Sequence, residues 1–113
     1  IHHIFPKAYL RKAIDAPQRL YNQIANYTYL EKRINIAIGE MRPGEYFTKA
    51  REAIATEDNY FGDIATEADL IANLKANCIP KGIFDMDAVD YEGFLAQRRI
   101  LMARKIRDYY ESL

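Results

Sequence analysis

The C-terminal stretch AVDYEGFLAQRRILMARKIRDYYES, residues 88–112, decides the fold class. Its apolar residues recur mostly at three- and four-residue steps, which is the period of one helix face. Asp87 or one of its neighbours can cap the N-terminus of such a helix. The sequence therefore predicts one long helix from about residue 88 to residue 112. Its apolar face consists of Tyr91, Phe94, Leu95, Leu101, Met102, Ile106, Tyr109 and Leu113.

Three shorter helices are predicted upstream, each from a start signal. Residues 6–14 begin with Pro6, and residues 42–55 have Pro43 near their first position; the first helical turn tolerates proline. Thr66 and Asp69 have the spacing of a capping box, with Asp in place of the usual Glu. The helix that they open is expected to run through Ala76.

A small β element is predicted near the start of the chain. Residues 27–30 read YTYL, and tyrosine and threonine favour strands. Residues 31–38 favour a short helix that Gly39 can end. The expected fold class is mainly α: a small, truncated β-strand and helix element at the N-terminus, then a helical bundle with the long C-terminal helix.

The 113 residues suit one domain, residues 1–113, in which region 1–39 holds the β element and region 40–113 is helical. No apolar run approaches the roughly 20 residues of a membrane span, so no membrane association is expected. Cys78 is the only cysteine and cannot form an internal disulfide, which favours a reducing, cytoplasmic setting. It is expected to be a small buried residue.

The net charge is zero, but the charge is unevenly distributed. Residues 1–51 carry a net charge of +5, residues 52–95 carry −8, and residues 96–113 carry +3. A nucleic-acid surface needs local positive charge rather than a basic total. The two ends of the chain could therefore contact DNA, and the middle could not.

The opening segment IHHIFPKAYL, residues 1–10, contains both histidines of the chain. His2 and His3 are followed by Asn26, which introduces the predicted strand, and by Asn35 on the predicted short helix. Read alone, the histidines are compatible with a solvated terminus, Asn26 with a turn residue and Asn35 with a half-exposed helix position. Their order along the chain, however, resembles that of the HNH, or ββα-metal, nucleases.

A closer resemblance covers most of the chain. The segments HHIFPKAYL (2–10), NYTYL (26–30), Asn35 with Ile38, PGEY (43–46) and FLAQRRILM (94–102) together resemble the C-terminal nuclease domain of GmrSD-type, modification-dependent restriction proteins. The resemblance implies a metal-dependent DNA endonuclease in a bacterial restriction or phage-defence protein. The substrate would be DNA, and whether it is modified stays open.

The resemblance also implies a role for each site residue. His3 would be the general base, and Asn26 would brace the loop and orient His3 through backbone hydrogen bonds. His2 and Asn35 would hold one divalent metal ion, Mg²⁺ or Mn²⁺. Imidazole suits the base because it titrates near neutral pH, and a divalent ion can neutralise charge on the phosphate.

Basic side chains at the two ends are the candidates for DNA contact: Lys7, Arg33, Arg98 and Arg99. Runs such as Arg98–Arg99 more commonly form a solvated helix face, so both readings stay open. Six tyrosines could stack on bases, but core packing is the preferred reading for Tyr9, Tyr27, Tyr29, Tyr46, Tyr109 and Tyr110. Asp85, Asp87 and Asp90 are loosely spaced like metal ligands, but helix capping is the preferred interpretation.

The competing function is a catalytically silent helical module that binds DNA or another protein. Because the chain begins at Ile1, inside a motif, we expect it to be the C-terminal fragment of a longer parent protein. The N-terminal portion of that parent would be a partner. The fragment alone is expected to be inactive, and whether it retains the metal ion stays open. The sequence does not indicate an oligomeric state.

Overall fold

The computed structural model describes residues 2–28, 40–55 and 66–113, and this part of the chain is mainly helical, as predicted. In chain order the elements are β1 (His2–His3), α1 (Lys7–Ile14), α2 (Gln18–Tyr21), β2 (Tyr27–Thr28), α3 (Pro43–Ala55), α4 (Glu67–Ala76) and α5 (Tyr91–Glu111). Three 3₁₀ turns connect them, at Ile24–Asn26, Lys81–Asp85 and Ala88–Asp90. No helix in the described ranges is long and apolar enough to cross a lipid bilayer.

The helix boundaries follow the capping signals closely. The Thr66 hydroxyl accepts from the Asp69 backbone N–H at 3.0 Å, and the Asp69 carboxylate accepts from the Thr66 N–H at 3.1 Å, which confirms the predicted capping box of α4. Asp87 and Asp90 form a second reciprocal box. It closes a 3₁₀ turn, so the regular helix α5 begins at Tyr91, three residues later than predicted.

The two short strands form one antiparallel ladder. His2 is opposite Thr28, and His3 is opposite Tyr27. The histidine segment therefore pairs with the start of the YTYL run. The rest of that run and the predicted helix, residues 29–39, lie outside the described residues.

One hydrophobic core contains residues from the N-terminal segment and from the first half of α5. Phe5 is fully buried, with its ring centroid 4.9 Å from that of Phe94 and 5.3 Å from that of Tyr91. The cluster also contains residues from all the longer helices, one 3₁₀ turn and the connecting segments: Ile4, Leu10, Tyr46, Phe47, Leu70, Leu74, Ile79, Ile83, Met86 and Leu95. The first residues after the histidines are thus part of the same core as the long helix.

The C-terminal half of α5 leaves this core. Residues 103–113 are all exposed. The prediction of core packing was wrong for Tyr109 and Tyr110, which are 63% and 69% exposed. The helical period continues past Met102, but no described element lies beside it to cover the stripe. Periodicity identifies an apolar face without identifying what packs on it.

The PGEY segment at the start of α3 contacts the residues that follow the histidines. A Cβ atom added to Gly44 would lie 2.2 Å from the Phe84 carbonyl oxygen, so only glycine permits this approach of two backbones. The approach places α3 so that the Tyr46 hydroxyl donates to the Ile4 carbonyl at 2.6 Å. Tyr46 is 4% exposed, and burial raises the pKa of its hydroxyl above the ordinary range.

Replacing Tyr46 by Phe should lower the free energy of unfolding by about 1–3 kcal/mol at neutral pH, because the buried Ile4 carbonyl loses its donor. Urea denaturation monitored by circular dichroism measures the change. Tyr109→Phe is the matched control, since the Tyr109 ring is exposed, and should stay within about 0.5 kcal/mol of the unsubstituted protein. Equal effects of the two substitutions would contradict the assigned role of the Tyr46 hydroxyl.

The same contact predicts a dependence on alkaline pH. Above about pH 10 an unfolded tyrosine loses its proton, whereas buried Tyr46 keeps it, so the folded state binds more protons. Stability should then fall by about 1.4 kcal/mol per pH unit for this one group. The unfolding curves of the unsubstituted protein and Tyr46→Phe should therefore converge between pH 10 and 12. A constant difference between them would show that Tyr46 ionises normally.

Candidate active site

His3 lies at the end of β1, and its ring contacts one asparagine and two tyrosines. Its Nε2 atom is 2.7 Å from the Oδ1 atom of Asn22, nineteen residues further along the chain. Two tyrosine rings meet it edge-on, with centroid distances of 5.1 Å for Tyr27 and 6.0 Å for Tyr21. The ring is half-buried. One nitrogen is therefore engaged by the protein, and the two aromatic contacts limit rotation of the imidazole.

Asn26 fixes the backbone that carries His3. It is fully buried. Its side-chain oxygen accepts from the Phe5 N–H at 2.8 Å, and its amide nitrogen donates to the Phe5 carbonyl at 3.0 Å. The Asn26 carbonyl also accepts from the Ile4 N–H at 2.8 Å. The loop after His3 is thus held by three hydrogen bonds to one residue.

The same asparagine holds the loop that carries Asn22. Its amide nitrogen donates to the Tyr21 carbonyl at 3.1 Å, and its backbone N–H donates to the Gln23 carbonyl at 2.8 Å. Asn22 lies between these two anchored residues. Asn26 therefore sets the separation between His3 and the residue that its ring contacts.

Arg98 is the second buried polar residue of this region, and its position corrects an expectation. It is 5% exposed, so it does not lie on the solvated face that DNA contact would require. Its guanidinium donates to the carbonyls of Ala25 (3.0 Å), Tyr27 (2.6 Å) and Asn77 (2.9 and 3.1 Å). The side chain thereby ties α5 to β2 and to the end of α4.

Burial explains the electrostatics of Arg98. Desolvation lowers the pKa of its guanidinium below the ordinary value, while the nearby Cys78 and Tyr46 side chains act in the opposite direction. Cys78 itself is buried, as expected. Carbonyl oxygens accept the hydrogen bonds of the buried Arg98 guanidinium and so replace the water that it loses on folding.

The other predicted DNA contacts are placed differently. Lys7 is exposed in the first turn of α1. Arg99 is exposed as well, and its guanidinium donates to the Gln23 side-chain oxygen at 3.2 Å. Gln23 directly follows Asn22, the residue that the His3 ring contacts. Arg33 lies outside the described residues.

The structure describes the side chain of neither predicted metal ligand. The backbone of His2 is in the ladder, but its side chain is not described, and Asn35 lies outside the described residues. Among the side chains that the structure describes, no group of three or more His, Cys, Asp or Glu residues could hold a metal ion. The roles of His2 and Asn35 stay predictions.

Sequence reasoning missed Asn22. No periodicity or spacing links it to His3, since the contact depends on the turn between α2 and β2. The only available signal was a second asparagine, four residues before Asn26, in the segment YNQIAN.

Comparison with known proteins finds no match: no protein-family model matches the chain, and no curated protein or solved structure is significantly similar to it.

Arg98 and Arg99 provide a matched pair of substitutions with equal changes in charge. Arg98→Met should lower the free energy of unfolding by about 3 kcal/mol, because three carbonyls, that of Ala25 buried and those of Tyr27 and Asn77 partly buried, lose a charged donor. Arg99→Met should change it by less than about 0.5 kcal/mol. Chemical denaturation of both variants under identical buffer conditions makes the comparison. Equal effects would contradict the structural role of Arg98.

Proposed function

We propose that this chain is the nuclease domain of a metal-dependent DNA endonuclease of the HNH type, in a GmrSD-type restriction or phage-defence protein. The observation that carries the proposal is the anchoring of His3. Asn26, the residue to which the resemblance assigns a bracing role, bonds the two residues that follow His3. A solvated terminal histidine would not need buried hydrogen bonds directly behind it.

The proposed chemistry is hydrolysis of a phosphodiester. His3 takes a proton from a water molecule while the water oxygen attacks the phosphorus atom, and the bond from phosphorus to the departing oxygen breaks. A base must be held within hydrogen-bond reach of that water, which requires a fixed ring. The contacts of the His3 ring with Asn22, Tyr21 and Tyr27 meet this requirement.

The metal ion is proposed from the chemistry of its donors. His2 would supply an imidazole nitrogen and Asn35 an amide oxygen, and both are ligands that divalent ions accept. When bound, the ion supplies Lewis-acid stabilisation of the charge on the phosphate and the departing oxygen. The donor set is compatible with Mg²⁺ and with Mn²⁺.

DNA contact is proposed for the exposed cations. Arg99 is the best placed of these, since its partner Gln23 adjoins the residue that contacts His3. Lys7 and Arg33 stay in the proposal, whereas Arg98 does not, because its guanidinium is engaged with three carbonyl oxygens. Each exposed cation that neutralises a phosphate should steepen the slope of the logarithm of the DNA-binding constant against the logarithm of the salt concentration by roughly 1.

One observation favours the competing function, a silent helical module for DNA or protein binding. The end of α5 exposes apolar Ile106, Tyr109 and Leu113 beside basic side chains. Ile106 also lines an open depression of about 400 Å³ between α5, β2 and the end of α4, together with Ile24 and Met102. Such a surface suits an interaction without requiring catalysis.

Replacing His3 by Ala should abolish cleavage in the longest natural form of the protein that contains these residues. Loss of a general base costs about 10²–10⁴-fold in rate. Nicking of supercoiled plasmid with Mg²⁺ or Mn²⁺, followed on agarose gels and stopped by a chelator, measures the change. Asn73→Ala, an exposed position on α4, is the matched control and should cut normally.

The outcomes separate the two functions. Folding of His3→Ala is checked by thermal denaturation, so that a loss of cutting is not a loss of structure. Cutting at the normal rate by a folded His3→Ala variant would refute the nuclease assignment. Retained DNA binding with no metal-dependent cutting by the unsubstituted protein would favour the silent module.

A further inference from the structure

The contact between His3 and Asn22 defines which ring nitrogen is protonated. An amide oxygen only accepts hydrogen bonds. With the Asn22 amide oriented so that Oδ1 lies 2.7 Å from Nε2 of His3, Nε2 is the donor in the neutral ring. A neutral imidazole carries one proton, so a proton on Nε2 leaves Nδ1 with a free electron pair.

We infer that Asn22 is the positioning residue of the His3 imidazole: it holds the ring with the proton on Nε2 and leaves Nδ1 as the nitrogen that accepts a proton. This inference rests on the proposed function, since it names the atom that would act as base. The residue acts through His3 rather than on the substrate. In a base with two chemically distinct nitrogens, the partner of one decides the task of the other.

Asn22 is held well enough to act in this way. Its backbone N–H donates to the Gln18 carbonyl at 2.9 Å, which continues the turn of α2. The residues on either side of it are bonded to Asn26, through the carbonyls of Tyr21 and Gln23. An acceptor on so fixed a backbone restricts the direction in which the imidazole can point.

The aromatic contacts complete the restriction. Tyr27 meets the His3 ring at an interplanar angle of 86°, and Tyr21 meets it at 67°. Both tyrosines belong to the elements that Asn26 joins. A hydrogen bond fixes one atom of the ring and two edge contacts fix its plane, so the orientation of Nδ1 is set by the protein before any substrate binds.

Nuclear magnetic resonance of the ¹⁵N-labelled chain tests the inference without any cutting assay. The chain has only two histidines, and a His2→Gln variant assigns the signals of His3. In the neutral ring we expect Nε2 protonated and Nδ1 unprotonated, with slow exchange of the Nε2 proton with water. Asn22→Leu, which removes the acceptor at similar volume, should speed that exchange at least about 10-fold. Asn22→Asp, which keeps an acceptor, should restore slow exchange.

The matched control is Asn73→Leu, which makes the same change on the exposed surface of α4 and should leave the His3 signals unmoved. A proton found on Nδ1 in the unsubstituted chain would overturn the inference. So would an Nε2 proton whose exchange is indifferent to Asn22→Leu.

Plasmid nicking by the longest natural form then tests the catalytic part. Asn22→Leu should lower kcat roughly 10- to 100-fold and leave KM within about twofold, because a misdirected base affects the chemical step rather than DNA binding. Asn22→Asp should recover most of kcat, which mere loss of folding would not allow. If the spectra behave as expected while kcat is unchanged, the positioning contact stands and the assignment of His3 as base under the proposed function fails.

Discussion

The arrangement around His3 depends on one buried asparagine. Asn26 bonds the backbone of Ile4 and Phe5 on one side and that of Tyr21 and Gln23 on the other. A fully buried amide is costly unless its donors and acceptors are satisfied. Here its bonds to Phe5 join segments twenty-one residues apart, and its bond to Tyr21 holds the nearby loop. Removing it would separate the histidine strand from the loop that carries Asn22.

Two longer side chains extend this constraint into the helical part. Tyr46 reaches from α3 to the carbonyl of Ile4, and Arg98 reaches from α5 to the carbonyls of Ala25 and Tyr27. These acceptors flank the atoms that Asn26 holds. Tyr46 and Arg98 thus meet the segment around Asn26 and Tyr27 through hydrogen bonds to the backbone around the candidate site. The helical part is the support on which the site is built.

Local signals predicted most of the elements, because capping, proline position and periodicity act within one segment. The Thr66–Asp69 box and the start of α3 at Pro43 are of this kind. Periodicity failed at the end of α5, since an apolar stripe does not reveal whether a partner covers it. The charge pattern failed for Arg98, because its burial depends on carbonyl oxygens that only the folded chain assembles around it.

The candidate site was predictable only where the motif itself carried the information. The order of residue types singled out His3 and Asn26 as candidates, whereas Asn22 depends on the turn between α2 and β2, which has no signature in spacing. A polar contact between residues nineteen apart is fixed by tertiary structure and leaves no local pattern.

The central claim is that the segment after His3 is fastened as firmly as the core. Native-state hydrogen exchange of the Phe5 amide tests it most directly, because this N–H donates to the Asn26 side chain. The account predicts that the Phe5 amide exchanges only through global unfolding, with the same opening free energy as the buried Leu95 amide in α5. Fast exchange of Phe5 through local fraying, with Leu95 still protected, would contradict the account.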